Sequence, residues 1–118
     1  MELVAFVGND RENWGQVSAL VKRMECDKVI IVKNKEAGDF PVTEKCEVIT
    51  INSEKPLVEL KREMMDKLKE KVAGDFEVAL SIASGNGKEH MALISALLSI
   101  PVGIKLVIYT KEGIEFVN

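Results

Sequence analysis

The chain has 118 residues, of which 47% are hydrophobic and 30% charged, and its net charge at pH 7 is −3. This length suffices for one domain, residues 1–118, with a buried core and no disulfide or metal, and the composition excludes a disordered protein. The charge disfavours binding to duplex nucleic acid or an anionic membrane, and no apolar run is long enough for a membrane span.

The first half of the chain alternates between strand-like and helix-like patterns. Trp14, Val17 and Leu20 recur at helical spacing, and Asn13 with Gln16 predicts a capping box at the start of this first helix. Between the second and third strands, a stretch with glycine and proline indicates a loop. A continuous apolar run predicts a strand at residues 3–7, and two further strands are predicted at residues 29–32 and 47–51.

The second half predicts two further helices and three further strands. The second helix opens near residue 53, with Pro56 in its first turn and Gly74 just past its C-cap. A third helix, at residues 89–100, is stopped by Pro101. The predicted strands are at residues 76–82, 105–109 and 114–117, with a hairpin turn at residues 110–113.

This succession of elements predicts an α/β fold. We expect a three-layer, Rossmann-like, mostly parallel sheet with a C-terminal antiparallel hairpin. The third helix is apolar on nearly every side, which indicates burial on more than one face, by a second subunit as one alternative. It also carries a strip of small residues that would permit close packing: Ala92, Ser95, Ala96 and Ser99.

Cys26 and Cys46 lie twenty positions apart, and the chain has a single histidine. Cysteine and histidine alone therefore cannot form a zinc site, and we expect two free thiols in a reducing cytoplasm, with no metal or cofactor. The N-terminus lacks the basic region of a signal peptide, which also favours a cytoplasmic protein. Abundant Glu and Lys with one Gln is typical of a thermophile.

Ligands of open parallel sheets bind beyond the carboxyl ends of the strands. Two loops there have an unusual composition, Gly8-Asn9-Asp10-Arg11 and Ser84-Gly85-Asn86-Gly87-Lys88. In the second loop, two glycines allow close approach of an anion, the following helix directs N–H groups at it, and Lys88 and His90 add donors. Alternatively, the glycines only form a tight turn between strand and helix.

Two nucleotide motifs are excluded for this loop. A P-loop requires wider glycine spacing and a hydroxyl residue where Glu89 stands, and a dinucleotide fingerprint requires glycine where His90 stands. His90 remains a candidate general base, phosphate donor or dimer-contact residue, or simply a polar neighbour of the helix cap. Trp14 either packs the first helix on the sheet or stacks on a base.

The Ser84 to Lys88 loop, set between an apolar strand and the apolar helix 91–98, resembles the ligand motif of CARF domains, the CRISPR-associated Rossmann folds. In that family the loop is often S/T-G-G-T-K, so Asn86-Gly87 here replaces a Gly-Thr pair and lacks its hydroxyl. Residues 4–10 resemble the family's first strand and its ligand-facing loop. The predicted order of strands and helices resembles the family over most of the chain. The resemblance in residue motifs is confined to these two segments and the helix that follows the loop.

The resemblance implies a homodimer that binds cyclic oligoadenylate, a second messenger of CRISPR antiviral defence, in a groove across the two-fold axis. By position, Gly8, Asn9 and Asp10 would face the ligand, and the loop from Ser84 through Gly85, Asn86 and Gly87 to Lys88 would hold phosphates and riboses. Some members are ring nucleases, in which a ribose 2′-OH attacks the neighbouring phosphate without metal. Lys88 would then stabilise the developing charge as the catalytic residue.

Two alternatives share the same loop. The chain could be a Rossmann-like protein that binds another phosphorylated metabolite or nucleotide, with one ligand per chain. It could also be a ligand-free dimerisation module in which the glycines are turn residues. Nucleotide-induced thermal stabilisation separates the module from both binding proteins.

Overall fold

Within the residues that it describes, 1–72, 74 and 76–118, the computed structural model has six strands and three α-helices. Short 3-10 turns at Arg11–Asn13 and Lys35–Ala37 lie in the loops after the first and second strands. The elements are β1 (Glu2–Val7), α1 (Trp14–Arg23), β2 (Val29–Asn34), β3 (Cys46–Ile51), α2 (Leu57–Leu68), β4 (Glu77–Ser81), α3 (Gly87–Leu98), β5 (Gly103–Thr110) and β6 (Gly113–Phe116).

The strands form one mixed sheet in the order β3-β2-β1-β4-β5-β6. All neighbouring pairs are parallel except β5 and β6, which form an antiparallel hairpin. The α/β class, the mostly parallel sheet and the C-terminal hairpin are therefore confirmed, and the arrangement is consistent with a Rossmann-like fold. The order reverses at β1: the chain builds β2 and β3 on one side of it and then crosses to place β4 on the other.

Helices cover both faces of the sheet. Alternate β1 residues point to opposite sides, so Val4 and Phe6 pack with the buried residues of α2 and α3, whereas Leu3, Ala5 and Val7 pack with those of α1. Burial on both faces explains why β1 is a continuous apolar run, as parallel strands in α/β proteins are.

One predicted capping box and several predicted boundaries are wrong, although α1 begins after Asn13 as predicted. The Asn13–Gln16 capping box does not form, because the Asn13 side-chain amide donates to Asp10 Oδ2 at 2.6 Å instead. α2 begins after Pro56 and ends at Leu68, so Gly74 does not follow its C-cap directly. β4 begins at Glu77, leaving Phe76 exposed outside the strand. α3 starts two residues earlier than predicted and ends at Leu98.

α3 is only partly covered within one chain. Its buried face consists of Glu89 and four apolar residues, Ala92, Leu93, Ala96 and Leu97, which pack against α2 and the sheet. The alanines of the small-residue strip are thus used inside the chain. On another side, Met91 is 60% exposed and Leu98 is 71% exposed. One apolar side of α3 therefore faces solvent.

In the described part of the chain, no helix combines the length and the hydropathy that crossing a bilayer requires.

Candidate functional site

A cleft of about 360 Å³ opens at the carboxyl edge of the sheet, beside the point where the strand order reverses. The ends of β1, β2, β3 and β4 and the start of α3 all contribute to it. This is the position where open α/β sheets bind ligands. Its walls consist of nine residues: Asn9, Asp10, Asn34, Glu36, Ser53, Glu54, Gly85, Asn86 and Glu89.

Asp10 joins the loops that follow β1 and β4. Its Oδ1 accepts hydrogen bonds from the Ser84 hydroxyl at 2.7 Å and from the Gly85 amide at 2.9 Å. The Ser84 hydroxyl in turn accepts from the Gly8 amide at 2.9 Å. Gly85 has φ +104°, a backbone conformation that favours glycine. The two loops that the sequence singled out are therefore one hydrogen-bonded unit.

The same contacts govern the ionisation of Asp10. Burial raises the pKa of its carboxyl group, but hydrogen bonds from Asn13, Ser84 and Gly85 together outweigh burial and hold the pKa below its usual value. Because these bonds favour the charged form, Asp10 is a carboxylate at neutral pH.

Trp14 contacts this hydrogen-bonded unit at Gly8. Its indole Nε1 donates to the Gly8 carbonyl oxygen at 2.9 Å, and its ring packs edge-on against Phe40 with the centroids 5.4 Å apart. The Arg11 guanidinium lies 4.9 Å from the centre of the indole ring. Of the two roles considered for Trp14, the structure shows the packing of α1 against the loop of β1.

The start of α3 is capped from within the chain. The Asn86 side chain accepts from the Glu89 amide at 2.9 Å, and the Glu89 carboxylate accepts from the Asn86 amide at 2.9 Å, which is a complete capping box. The other Glu89 oxygen accepts a short hydrogen bond from the Ser53 hydroxyl. Glu89 is 3% exposed, so this carboxylate links α3 to the β3–α2 loop inside the protein.

Two further contacts complete the cleft. Lys88 Nζ donates to the Ser53 carbonyl oxygen at 2.8 Å, across the rim between α3 and the β3–α2 loop. Deeper in the cleft, the Asn34 side chain donates to Asn9 Oδ1 at 3.2 Å and accepts from the Ser53 amide at 3.4 Å. Asn34, the last residue of β2, therefore links the loops that follow β1 and β3.

His90 lies in the first turn of α3 and contacts the loop from behind. Its Nε2 donates to the Ser84 carbonyl oxygen over 2.7 Å, and its ring stands edge-on to Phe6 with the centroids 6.3 Å apart. This nitrogen fixes the backbone of the loop.

The structure divides the nine predicted site residues into three groups. Four line the cleft: Asn9, Asp10, Gly85 and Asn86. Gly8 and Ser84 lie behind them in the hydrogen-bonded unit, and Gly87, Lys88 and His90 belong to the first turn of α3. Sequence reasoning missed five of the lining residues, namely Asn34, Glu36, Ser53, Glu54 and Glu89. Apart from Glu89, these follow or end β2 and β3, and the rule that ligands bind at carboxyl ends could have indicated them.

The cleft is acidic. Asp10, Glu36, Glu54 and Glu89 contribute carboxyl groups, and among the described residues that line it none is Lys, Arg or His. Lys88 brings a cation to the rim, where its contact with Ser53 holds it in place. Among all the residues that the structure describes, no group of three or more His, Cys, Asp or Glu side chains is arranged to hold a metal ion.

Comparison of the chain with protein-family models and with curated protein sequences gives no match.

Proposed function

We propose that this chain binds a cyclic or short oligoadenylate in the cleft at the carboxyl ends of β1 and β4. The observation that carries the proposal is the union of two loops, the one after β1 and the Ser84 to Lys88 loop, through the Asp10 carboxylate. These are the two segments on which the resemblance to CARF domains rests. Their union beside the reversal of strand order supports a shared role in ligand binding.

The exposed apolar side of α3 supports a homodimer. Met91 and Leu98 are exposed seven residues apart, and residues at this spacing lie on one side of a helix. α3 begins at the cleft, where Asn86 is both its N-cap and a lining residue. Two chains that paired along α3 would therefore bring their clefts close together. A ring with repeated nucleotides could then be bound by both chains across the two-fold axis.

Ring cleavage is the catalytic part of this proposal. A ribose 2′-oxygen would attack the adjacent phosphorus, the bond to the 5′-oxygen would break, and a 2′,3′-cyclic phosphate and a free 5′-hydroxyl would form. The proton leaves the 2′-hydroxyl and one is returned to the 5′-oxygen, so the step needs no further reactant. Lys88, at the rim, supplies a positive charge for the phosphorus oxygens in the transition state.

The test uses labelled cyclic tetra-adenylate with purified protein, at equal and excess protein, analysed on native and denaturing gels. Retardation of intact ligand supports a sensor domain, and conversion to linear di-adenylate without added metal supports a ring nuclease. Lys88→Ala should weaken binding, whereas Lys22→Ala removes the same charge from an exposed site in the last turn of α1 and should not. No retardation and no cleavage with any ring size would refute the proposal.

A second candidate is a protein that binds a different phosphorylated metabolite or nucleotide. It is favoured by one observation: a single chain by itself forms a cleft of about 360 Å³, a volume typical of small-molecule sites. This candidate predicts one ligand per chain, whereas a ring held across a two-fold axis predicts one ligand per two chains. A ligand-free dimerisation module, the third alternative, predicts no thermal stabilisation by any nucleotide.

A further inference from the structure

We infer, on the basis of the function proposed above, that the cleft takes the ribose and base of a nucleotide and leaves the phosphates outside, at the rim near Lys88. This differs from the usual arrangement at a glycine-rich loop, in which the N–H groups at a helix start hold the phosphate. Three features of the cleft lead to this inference.

The first feature is that three of the backbone donors around the α3 N-terminus are already used. The Gly85 amide donates to Asp10, and the Asn86 and Glu89 amides donate to the side chains of the capping box. A phosphate at these amides would have to displace acceptors that the protein itself supplies. These three amides are thus taken by side chains of the protein itself and are not free for an anion.

The second feature is the charge of the walls. A phosphate in the cleft would meet the carboxylates of Asp10, Glu36 and Glu54 with no cation among the described lining residues to offset them. Hydroxyl and amino groups, by contrast, donate hydrogen bonds to carboxylates, and such charge-assisted bonds are among the stronger ones. The sugar and the base of a nucleotide carry these donors.

The third feature is the position of the free acceptors. Both oxygens of Glu89 are used by Ser53 and Asn86, whereas Glu36 and Glu54 are exposed carboxylates at the mouth of the cleft. Glu36 lies two residues after β2. In dinucleotide-binding sheets, an acidic residue near the end of this strand accepts from a ribose hydroxyl. The geometry therefore points to Glu36 and Glu54 as acceptors for ribose hydroxyls.

The experiment measures competition against labelled cyclic tetra-adenylate by adenosine, 2′-deoxyadenosine, adenosine 5′-monophosphate and pyrophosphate. We expect adenosine and its monophosphate to compete within about tenfold of each other, which is the effect of one good charged hydrogen bond. Deoxyadenosine should compete less well than adenosine, and pyrophosphate should not compete. Glu36→Gln and Glu54→Gln should each weaken adenosine binding several-fold. Glu70→Gln, which removes an exposed carboxylate after α2, should leave adenosine binding unchanged.

Two results would overturn the inference while leaving the proposed function intact. One is competition by pyrophosphate together with a monophosphate more than about tenfold tighter than adenosine, which would place phosphate in the cleft. The other is unchanged adenosine binding in both glutamine variants. If cyclic tetra-adenylate itself does not bind, and neither do the other ring sizes, the proposed function fails and the inference fails with it.

Discussion

Gly8 and Gly85 approach so closely that a β-carbon placed on Gly8 would lie 2.7 Å from the Cα of Gly85. The two residues are far apart in sequence, and each belongs to a loop at the carboxyl edge of the sheet. Because β1 and β4 are neighbouring parallel strands, their loops leave the sheet side by side. Glycine at both positions lets Asp10 reach the Ser84 hydroxyl and the Gly85 amide.

This approach predicts that Gly8→Ala destabilises the fold. The added methyl group would meet backbone atoms that cannot move independently, and overpacking of this kind costs about 1–3 kcal/mol. Gly15→Ala is the matched control, because a β-carbon added to Gly15 in α1 would meet no atom of another element within 4 Å. Chemical denaturation should show a loss for Gly8→Ala and none for Gly15→Ala. Equal stability of the two variants would contradict the close approach.

Asp10 predicts a specific acid dependence of stability. Its folded-state pKa is lowered, so its charged form stabilises the protein above the unfolded-state value of about 3.9, and this contribution is lost as pH falls through the folded-state pKa. Asp10→Asn should therefore be less stable than the wild type at pH 7, and the difference should shrink below pH 4.

Unfolding free energies measured from pH 7 to pH 2.5 test this dependence. Asp27→Asn, at an exposed position, reports the general effect of removing one negative charge. A difference between wild type and Asp10→Asn that stayed constant over this range would show that the Asp10 hydrogen bonds do not favour its charged form.

The Ser53–Glu89 hydrogen bond predicts energetic coupling between the β3–α2 loop and α3. Ser53→Ala removes a donor from a buried carboxylate and should cost about 1–3 kcal/mol. In a double-mutant cycle with Glu89→Gln, residues in contact should show a coupling energy of about 0.5–3 kcal/mol. Ser99→Ala serves as the control and should not couple to Glu89, because the Ser99 hydroxyl, just past the end of α3, donates to the Ser95 carbonyl oxygen. Additive effects of Ser53→Ala and Glu89→Gln would count against the bond.

The exposed side of α3 predicts that Leu98→Glu dissociates the proposed dimer. Leu98 is 71% exposed in the single chain, so a charge there need not disturb the core. Val58→Glu is a suitable control, because Val58 lies on α2 and is 58% exposed. Sedimentation equilibrium should give dimers for the wild type and the control, and monomers for Leu98→Glu. A monomeric wild type, or a Leu98→Glu variant that remains dimeric, would contradict dimerisation through this side of α3.

Local patterns were enough to predict most elements of the fold. The strand patterns at β1, β2 and β3 and the turn before β6 are distinct, so their positions follow from the sequence. Side-chain partners were harder to predict than element positions. α1 begins after Asn13 as predicted, but the Asn13 side chain binds Asp10 and forms no capping box, whereas Asn86 does cap α3 and starts it two residues early.

The candidate site was predicted only in part, because half of it depends on strand order. The composition of the glycine-rich loop identified Gly85 and Asn86, and the loop after β1 identified Asn9 and Asp10. The roles of Asn34 and Ser53 follow from the neighbouring positions of β1, β2 and β3, which apolar periodicity does not specify. The Asn34–Asn9 bond, for example, joins loops 25 positions apart.

Calorimetric titration of the wild-type protein with cyclic tetra-adenylate measures both whether the cleft binds this ligand and how many chains share it. The proposed function predicts binding with one ligand per two chains, weakened in Lys88→Ala and preserved in Lys22→Ala. One ligand per chain would favour the alternative of a different small nucleotide or metabolite site. The absence of binding heat, with cyclic rings of other sizes also silent, would contradict oligoadenylate recognition by this cleft.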